Sequence, residues 1–436
     1  MYKVFFITFG CKVNRYETEC MKSEFLRYGY EISKDLKSAD AVVINSCTVT
    51  SSGDSKVITA LKKTRKQVPD TVIALTGCFP QANRIEAENI SEADIVTGTK
   101  NRSLLPELVT ECLQKRSRKV MIADYSKDDP FECLDCPSFG NNTRAFIKIQ
   151  DGCNQFCTYC IIPYARGRCR SKPIDTVRSE IRAMAEIGKQ EIVLTGINLA
   201  FYGTEYGLDL ADAVEVCAET DGIKRIRLGS LEPEMMSDRL LERLKSTPQF
   251  CPQFHLSLQS GCTKTLKAMN RKYTAEEYYE LTQRIRKFFP ECSFTTDIMV
   301  GFPDETDEDF RQSLDFVKKV GFSRVHVFRY SRRHGTPADR MENQVSEQTK
   351  IQRASLMTAT AMECEAKYLE SLVGKTVEVL FERENCTDFH QGYSADYTLI
   401  KIPRINIEKS LRNQIFCVTI EESRSDFCIG TLAESR

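Results

Sequence analysis

Residues 150–169 read Gln150-Asp-Gly-Cys-Asn-Gln-Phe-Cys-Thr-Tyr-Cys-Ile-Ile-Pro-Tyr-Ala-Arg-Gly-Arg-Cys169. Within this stretch Cys153, Cys157 and Cys160 stand at x3 and x2 spacing. Three thiolates so spaced can hold three corners of a [4Fe–4S] cube. The fourth iron, left without a protein ligand, is then open to chelate a small molecule. Zinc is the competing reading. A structural zinc takes four ligands, usually in C-x2-C pairs. The only histidines, His255, His326, His334 and His390, lie far along the chain, so Cys169, or Cys133 with Cys136, would have to complete such a site.

A three-cysteine x3/x2 run with an aromatic, Tyr159, just before its last cysteine resembles the radical S-adenosylmethionine (SAM) superfamily. The pattern downstream agrees. Strands are expected at 145–149, 191–195, 225–228, 253–258, 294–299 and 324–328, with helices between most of them. One helix, 307–320, puts Phe310, Leu314 and Val317 on one face. Six β/α units make a partial barrel, in which chemistry sits at the C-terminal ends of the strands. The triplet follows the first strand. Other strand ends read Thr195-Gly196-Ile-Asn198, Gly229-Ser-Leu-Glu232 and Ser257-Leu-Gln259-Ser-Gly261. The resemblance implies that these edges hold SAM, with Gly196 and Asn198 near its amino-acid end and Glu232 and Gln259 as polar contacts. The alternative for each residue is that it only satisfies loop backbone. Two basic loops, 264–273 and 329–337, could touch RNA phosphates or simply be solvated faces.

The N-terminal third alternates strand and helix. Strands at 3–8, 41–45 and 71–75 are separated by helical patterns at 17–28 and 55–67, and a fourth strand-like run spans 93–97. This predicts a doubly wound parallel α/β domain whose strand ends share one ligand-binding edge. Cys11, Cys47 and Cys78 each follow a strand end, so all three arrive at that edge, and Gly10 and Gly77 permit the turns before two of them. A second three-cysteine cluster site is expected there.

Two such sites, one on an α/β domain and one on a radical-SAM barrel, resemble the methylthiotransferases. Residues 8–19, Thr8-Phe-Gly-Cys-Lys-Val-Asn-Arg-Tyr-Glu-Thr-Glu19, are similar to that family's first motif. Gly-Cys-Lys-Val-Asn resembles the branch acting on N6-threonylcarbamoyladenosine in tRNA. The isopentenyladenosine branch usually has Gly-Cys-Gln-Met-Asn, and the ribosomal-protein branch Gly-Cys-Pro-Lys-Asn. Glu232 before Pro233, where the isopentenyladenosine branch tends to have His, points the same way. The resemblance implies two [4Fe–4S] clusters. The one on Cys153, Cys157 and Cys160 would reduce SAM, and the resulting 5′-deoxyadenosyl radical would abstract hydrogen from C2 of adenosine 37. The other, on Cys11, Cys47 and Cys78, would supply sulfur, and a further SAM the methyl group. The tRNA anticodon loop and an electron-donor protein are the implied partners.

The remaining features bound this reading. The chain has 436 residues, 19 cysteines and equal numbers of acidic and basic residues, 61 each. An RNA binder of this balance must cluster its cations locally. No signal-peptide pattern or apolar run of membrane-spanning length is present, so a cytoplasmic location with reduced thiols is expected. Cys217, Cys292 and Cys364 fall in apolar patterns and read as small buried hydrophobes. After a long helix at 350–372, short strands at 376–381, 397–400, 415–420 and 428–432 suggest a small β-barrel resembling the RNA-binding TRAM domain. Its Arg383, Lys401, Arg404, Lys409 and Arg412 could meet tRNA backbone. The expected division is 1–115 for the α/β domain, 116–142 for a linker containing Cys133 and Cys136, 143–372 for the partial (β/α)6 barrel and 373–436 for the TRAM-like barrel. A zinc-dependent RNA-binding protein without catalysis is the alternative from another class.

Overall fold

The structure, a computed structural model, describes residues 1–135, 140, 142–382, 388–405, 407 and 409–433. Six parallel strands form the N-terminal sheet: β1 (Lys3–Thr8), β2 (Glu31–Ile32), β3 (Ala41–Ser46), β4 (Val72–Gly77), β5 (Ile95–Thr97) and β6 (Lys119–Met121). Their order is β2-β1-β3-β4-β5-β6. Alternation along each strand supplies two cores. Val4, Ala41, Val43, Val72 and Ala74 pack beneath Met21, Phe25, Leu105 and Val109. Val42, Ile44, Ile73 and Leu75 pack on the other face with Val57, Leu61, Phe79 and Ala87. The sheet is therefore covered on both sides, as a doubly wound sheet must be.

β1, β3 and β4 match the first three expected strands within two residues, and the two-residue β2 was not expected. Two corrections concern the rest. β5 begins at Ile95 rather than Ala93, and β6 lies inside the stretch expected to be linker. A three-residue edge strand with only one buried neighbour strand carries no apolar run to announce it. The first helix also starts earlier than expected, at Lys12.

The central unit contains β7 (Arg144–Lys148), β8 (Gln150–Asp151), β9 (Arg170–Ser171), β10 (Glu191–Thr195), β11 (Arg225–Leu228), β12 (Ser230–Leu231), β13 (Gln253–Leu256), β14 (Ser293–Val300) and β15 (Arg324–Arg329). Parallel ladders β11-β10-β7 and β12-β13-β14-β15 are joined by a bridge between Ile226 and Phe250, giving six β/α units open between β7 and β15. Helix Lys12–Arg27 packs two ways at once. Met21 and Phe25 belong to the N-terminal core, while Tyr16 and Cys20 join the barrel core with Ala145 and Ile147.

Helix Glu347–Glu370 leads to a closed five-stranded barrel of order β16-β17-β18-β20-β19: β16 (Thr376–Phe381), β17 (Phe389–Ser394), β18 (Leu399–Pro403), β19 (Ile415–Ser423) and β20 (Cys428–Leu432). The sequence reading missed β17. Its Gly392 breaks the apolar alternation because a side chain there would lie 2.4 Å from the Leu380 carbonyl. The small barrel is tied to the large one by Arg225 Nη1 donating to the Tyr393 carbonyl at 2.9 Å and Arg227 Nη1 to the Ala395 carbonyl at 2.6 Å. Among the described residues no helix is long and apolar enough to cross a membrane.

Candidate functional site

β8 and β9 pair antiparallel through Gln150–Ser171 and Asp151–Arg170, which closes residues 152–169 into a loop on the C-terminal side of β7. Gly152 has φ +71°, and a Cβ there would sit 1.9 Å from the Arg168 carbonyl, so no larger residue fits. Phe156, between Cys153 and Cys157, is also left-handed at φ +48°, a conformation held only because its surroundings over-determine it. Those surroundings are residues 268–270. The Ala268 carbonyl accepts from Thr158 Oγ1 at 2.9 Å, the Met269 carbonyl accepts from the Thr158 amide at 3.1 Å, and Asn270 Nδ2 donates to the Phe156 carbonyl at 3.1 Å.

The sulfurs of this loop are met by donors. The Gln155 amide lies 3.4 Å and Asn198 Nδ2 3.5 Å from Cys153 Sγ, and Arg271 Nη1 lies 3.3 Å from Cys157 Sγ. Burial, with Cys157 and Cys153 close by, pushes the Cys160 thiol up to about 12. A thiol so placed ionises when a metal takes the proton's place, and N–H groups aimed at sulfur stabilise the charge that results. Three such sulfurs on one clamped loop fit three corners of a [4Fe–4S] cluster.

The second set of cysteines stands where the sheet reverses its strand order. In the order β2-β1-β3-β4, Cys11 follows β1 and Cys47 follows β3, so the pair straddles the switch point at which doubly wound sheets open a crevice. Cys78 follows β4, the next strand. A Cβ on Gly10, at φ +108°, would lie 2.7 Å from Cys47 Cβ and 3.1 Å from its Sγ. A Cβ on Gly77, at φ +99°, would lie 2.5 Å from the Ser46 carbonyl. The two glycines thus let the three strand ends touch. Burial pushes the Cys78 thiol up to about 12 and raises Cys47 as well, with each of the three sulfurs close enough to act on the others. Three clustered thiols on adjacent strand ends fit a second cube by the same test. A zinc ion would need its ligands within about 2.3 Å of one point. Among the described residues no three His, Cys, Asp or Glu side chains, the two cysteine sets included, are gathered around one such point. Cys169 Sγ instead faces the Gly152 carbonyl at 3.7 Å, and Cys136 lies outside the described residues.

One side chain joins the two sets. Arg166, six residues past Cys160, is fully buried. Its Nε donates to Cys78 Sγ at 3.2 Å, its Nη1 to Glu17 Oε1 at 2.6 Å and Asp151 Oδ1 at 3.3 Å, and its Nη2 to Glu17 Oε2 at 3.0 Å. Glu17, on the helix shared by both cores, also accepts from Lys148 at 2.7 Å and Arg102 at 2.9 Å. Burial alone would raise the Glu17 carboxyl, but Arg102, Arg166 and Lys148 overcome it and hold the group well below the usual carboxylate range. Asp151, with Lys148, Arg170 and Arg166, behaves alike. Sequence reading missed Arg166 and Glu17, although both lie in motifs it singled out. Nothing in a pattern marks an arginine as buried.

The four expected SAM contacts divide. Gly196 and Asn198 close on the cysteine loop. A Cβ on Gly196 would lie 2.9 Å from Gln150 Cβ and Oε1, and the Asn198 amide donates to that Oε1 at 2.7 Å. The Asn198 Oδ1 is buried without a hydrogen-bond partner. Glu232 pairs with Arg271, the donor to Cys157. Gln259 stands apart. At φ +71° its backbone continues the β13–β14 ladder, the amide to the Asp297 carbonyl at 2.9 Å, and no contact carries its side chain to the cysteine loop.

The basic loops divide: Arg271 and Arg333 turn inward, while Lys264, Lys267, Lys272, Arg329 and Arg332 stay exposed. The Arg271 side chain is buried against Glu232, Lys264 pairs at the surface with Asp309 at 2.6 Å, and Arg333 pairs with Asp54 of the N-terminal unit at 2.6 Å. Arg271 and Arg333 are thus committed to structure, and the exposed cations are the ones left to meet phosphates. On the small barrel Lys409 is exposed, Lys401 lies over the Phe427 ring at 3.7 Å, and Arg383 is outside the described residues. A cavity of about 500 Å³ opens inside the large barrel beside the second cysteine set. Cys11, Lys12, Gly196, His255, His326 and Tyr397 are among its lining.

Comparison with known proteins agrees with this arrangement. Residues 147–317 match the model of the radical SAM superfamily, and residues 3–98 that of uncharacterized protein family UPF0004. The chain is 37% identical to the threonylcarbamoyladenosine tRNA methylthiotransferase MtaB of Bacillus subtilis (strain 168), over 91% of this chain and 89% of that one. It is 38% identical to the protein of that name from Thermotoga maritima, over 89% of each. It is also 36% identical to the tRNA-2-methylthio-N(6)-dimethylallyladenosine synthase of Alkaliphilus oremlandii, over 97% of this chain and 91% of that one. Among solved structures, the radical SAM methyltransferase TsrM of Kitasatospora setae superposes with a TM-score of 0.57 at 14% identity, covering 78% of this chain and 74% of that one, a likeness of fold.

Proposed function

From the premise that this chain belongs to the tRNA methylthiotransferases, which are radical-SAM enzymes, we propose that it converts N6-threonylcarbamoyladenosine at position 37 of the tRNA anticodon loop to the 2-methylthio derivative. Membership implies SAM and a [4Fe–4S] cluster. In this proposal Cys153, Cys157 and Cys160 hold that cluster, and Cys11, Cys47 and Cys78 hold a second. Loaded with SAM and sulfur, the two groups supply the one-electron chemistry and the sulfur atom that replacing an unactivated aromatic C–H requires.

The chain's own residues provide position and charge. Gly196 leaves the space beside Gln150, and Asn198 spans Gln150 and Cys153, so this corner would receive the polar end of SAM. Arg271 neutralises Glu232 while donating to Cys157, which keeps a buried carboxylate compatible with an anionic cluster. Arg166 does the same for Cys78 and ties its strand end to the first loop. The observation that carries the reading is that buried Arg166, on the loop of the first cysteine set, donates to Cys78 of the second. An anticodon-loop base suits the reaction because an unstacked base can enter a cavity. An electron-donor protein and a cytoplasmic location complete the proposal.

Iron and sulfide counts after anaerobic reconstitution test the two-cluster assignment. About eight irons per wild-type chain are expected, and about four once Cys11, Cys47 and Cys78 are all alanine. Four in both proteins would refute the second cluster.

A further inference from the structure

Lys12 is, with Val13, one of the two residues at which the quoted motifs differ, and the structure places it on the wall of the 500 Å³ cavity, next to Cys11. Its ammonium has no carboxylate partner among the described residues. It lies only over the rings of Phe146 and Tyr397, at 6.0 and 5.8 Å. Asp297 faces His255 at 3.4 Å, Arg324 is paired with Glu365 at 2.6 Å, and Asp396 accepts from Thr398 at 2.7 Å. Asp426 is exposed at the rim. Nor does Lys12 serve its own helix. It opens helix Lys12–Arg27, whose first turn has no acidic residue, and a cation at a helix N-terminus opposes the dipole.

We infer that this end of the cavity is a subsite for a carboxylate-bearing substituent on N6 of the target adenine, with the Lys12 ammonium as its charged contact and specificity determinant. The inference rests on the substrate reading above and adds to it the residue that makes the choice. A threonylcarbamoyl arm ends in a carboxylate and a hydroxyl, which Lys12 and the polar side chains of His326, His255 and Ser230 can meet. An isopentenyl arm would dehydrate the same groups and return no hydrogen bond.

The test is binding by fluorescence polarisation to anaerobically reconstituted holoenzyme. The probes are anticodon stem-loop RNAs whose adenosine 37 carries threonylcarbamoyl, its carboxamide analogue, isopentenyl, or nothing. Wild type should prefer the free carboxylate over the carboxamide by about tenfold, as a charge-assisted contact warrants. Lys12→Gln should bring the two within about twofold at unchanged iron content, and Lys12→Arg should keep most of the preference. Equal affinity of wild type for carboxylate and carboxamide overturns the subsite without any variant. A preference retained in Lys12→Gln overturns the role of Lys12. If instead wild type prefers the isopentenyl RNA, the substrate reading itself has failed.

Discussion

Replacing Glu17 by Gln tests the buried network that joins the N-terminal unit to the barrel. Glu17 is 3% exposed and receives Lys148 at 2.7 Å, Arg102 at 2.9 Å and Arg166 at 2.6 and 3.0 Å. The amide keeps one acceptor but presents an NH2 to groups that only donate, and three cations lose their shared counter-charge. Breaking a buried ion pair from one side costs about 3–5 kcal/mol. Asp151 and Glu132 still hold part of the cluster, so about 4 kcal/mol is expected, a large share of the roughly 5–15 kcal/mol of an ordinary fold. The assay is urea unfolding, followed by circular dichroism and by proteolysis within residues 116–142, on anaerobic protein at several pH values. Because the folded Glu17 carboxyl is held far below 4.5, its contribution is complete above about pH 4.5 and is lost as pH falls toward the folded value. The gap between wild type and Glu17→Gln should therefore narrow by about 1.4 kcal/mol per pH unit below that point. Coincident curves at pH 7, or a gap that stays constant to pH 3, would refute the reasoning.

Other predictions follow from the same contacts. Changing Cys11, Cys47 or Cys78 to Ala should leave SAM cleavage intact while methylthiolation of tRNA is lost; thiolation that survives would deny these residues the sulfur-donor role. Gly196→Ala must push Gln150 away from the Asn198 amide, so SAM affinity by equilibrium dialysis should fall about tenfold or more, and unchanged affinity would remove Gly196 from that site. Arg271→Met strands Glu232 as a buried unpaired carboxylate and removes the donor to Cys157, so a loss of about 3–5 kcal/mol is expected together with reduced iron content. Full iron and unchanged stability in that variant would show that the pair is dispensable.

Legibility in the sequence followed the strength of local pattern. Continuous apolar runs within 41–45 and 191–195 announced their strands, and a cysteine just past three strand ends announced a shared edge. The topology then made that edge a switch point. What stayed hidden was whatever depends on contacts across the chain. Arg271 sits in a basic run that looks solvated, yet it is turned inward by Glu232 and the cysteine loop. Arg166 and Glu17 are charged residues whose burial is intelligible only once residues 17, 102, 148 and 166 meet. β6 and β17 are short or glycine-interrupted, and their partners rather than their composition make them strands. Gln259 follows a strand end, and its left-handed backbone extends the sheet there, which no local pattern announces.

The central claim is the conversion of N6-threonylcarbamoyladenosine 37 to its 2-methylthio form. Mass spectrometry of tRNA nucleosides from cells with and without this protein tests it most directly. The account predicts a methylthio group on threonylcarbamoyladenosine only when the protein is present. A methylthio group gained on isopentenyladenosine instead, with threonylcarbamoyladenosine unchanged, would contradict it.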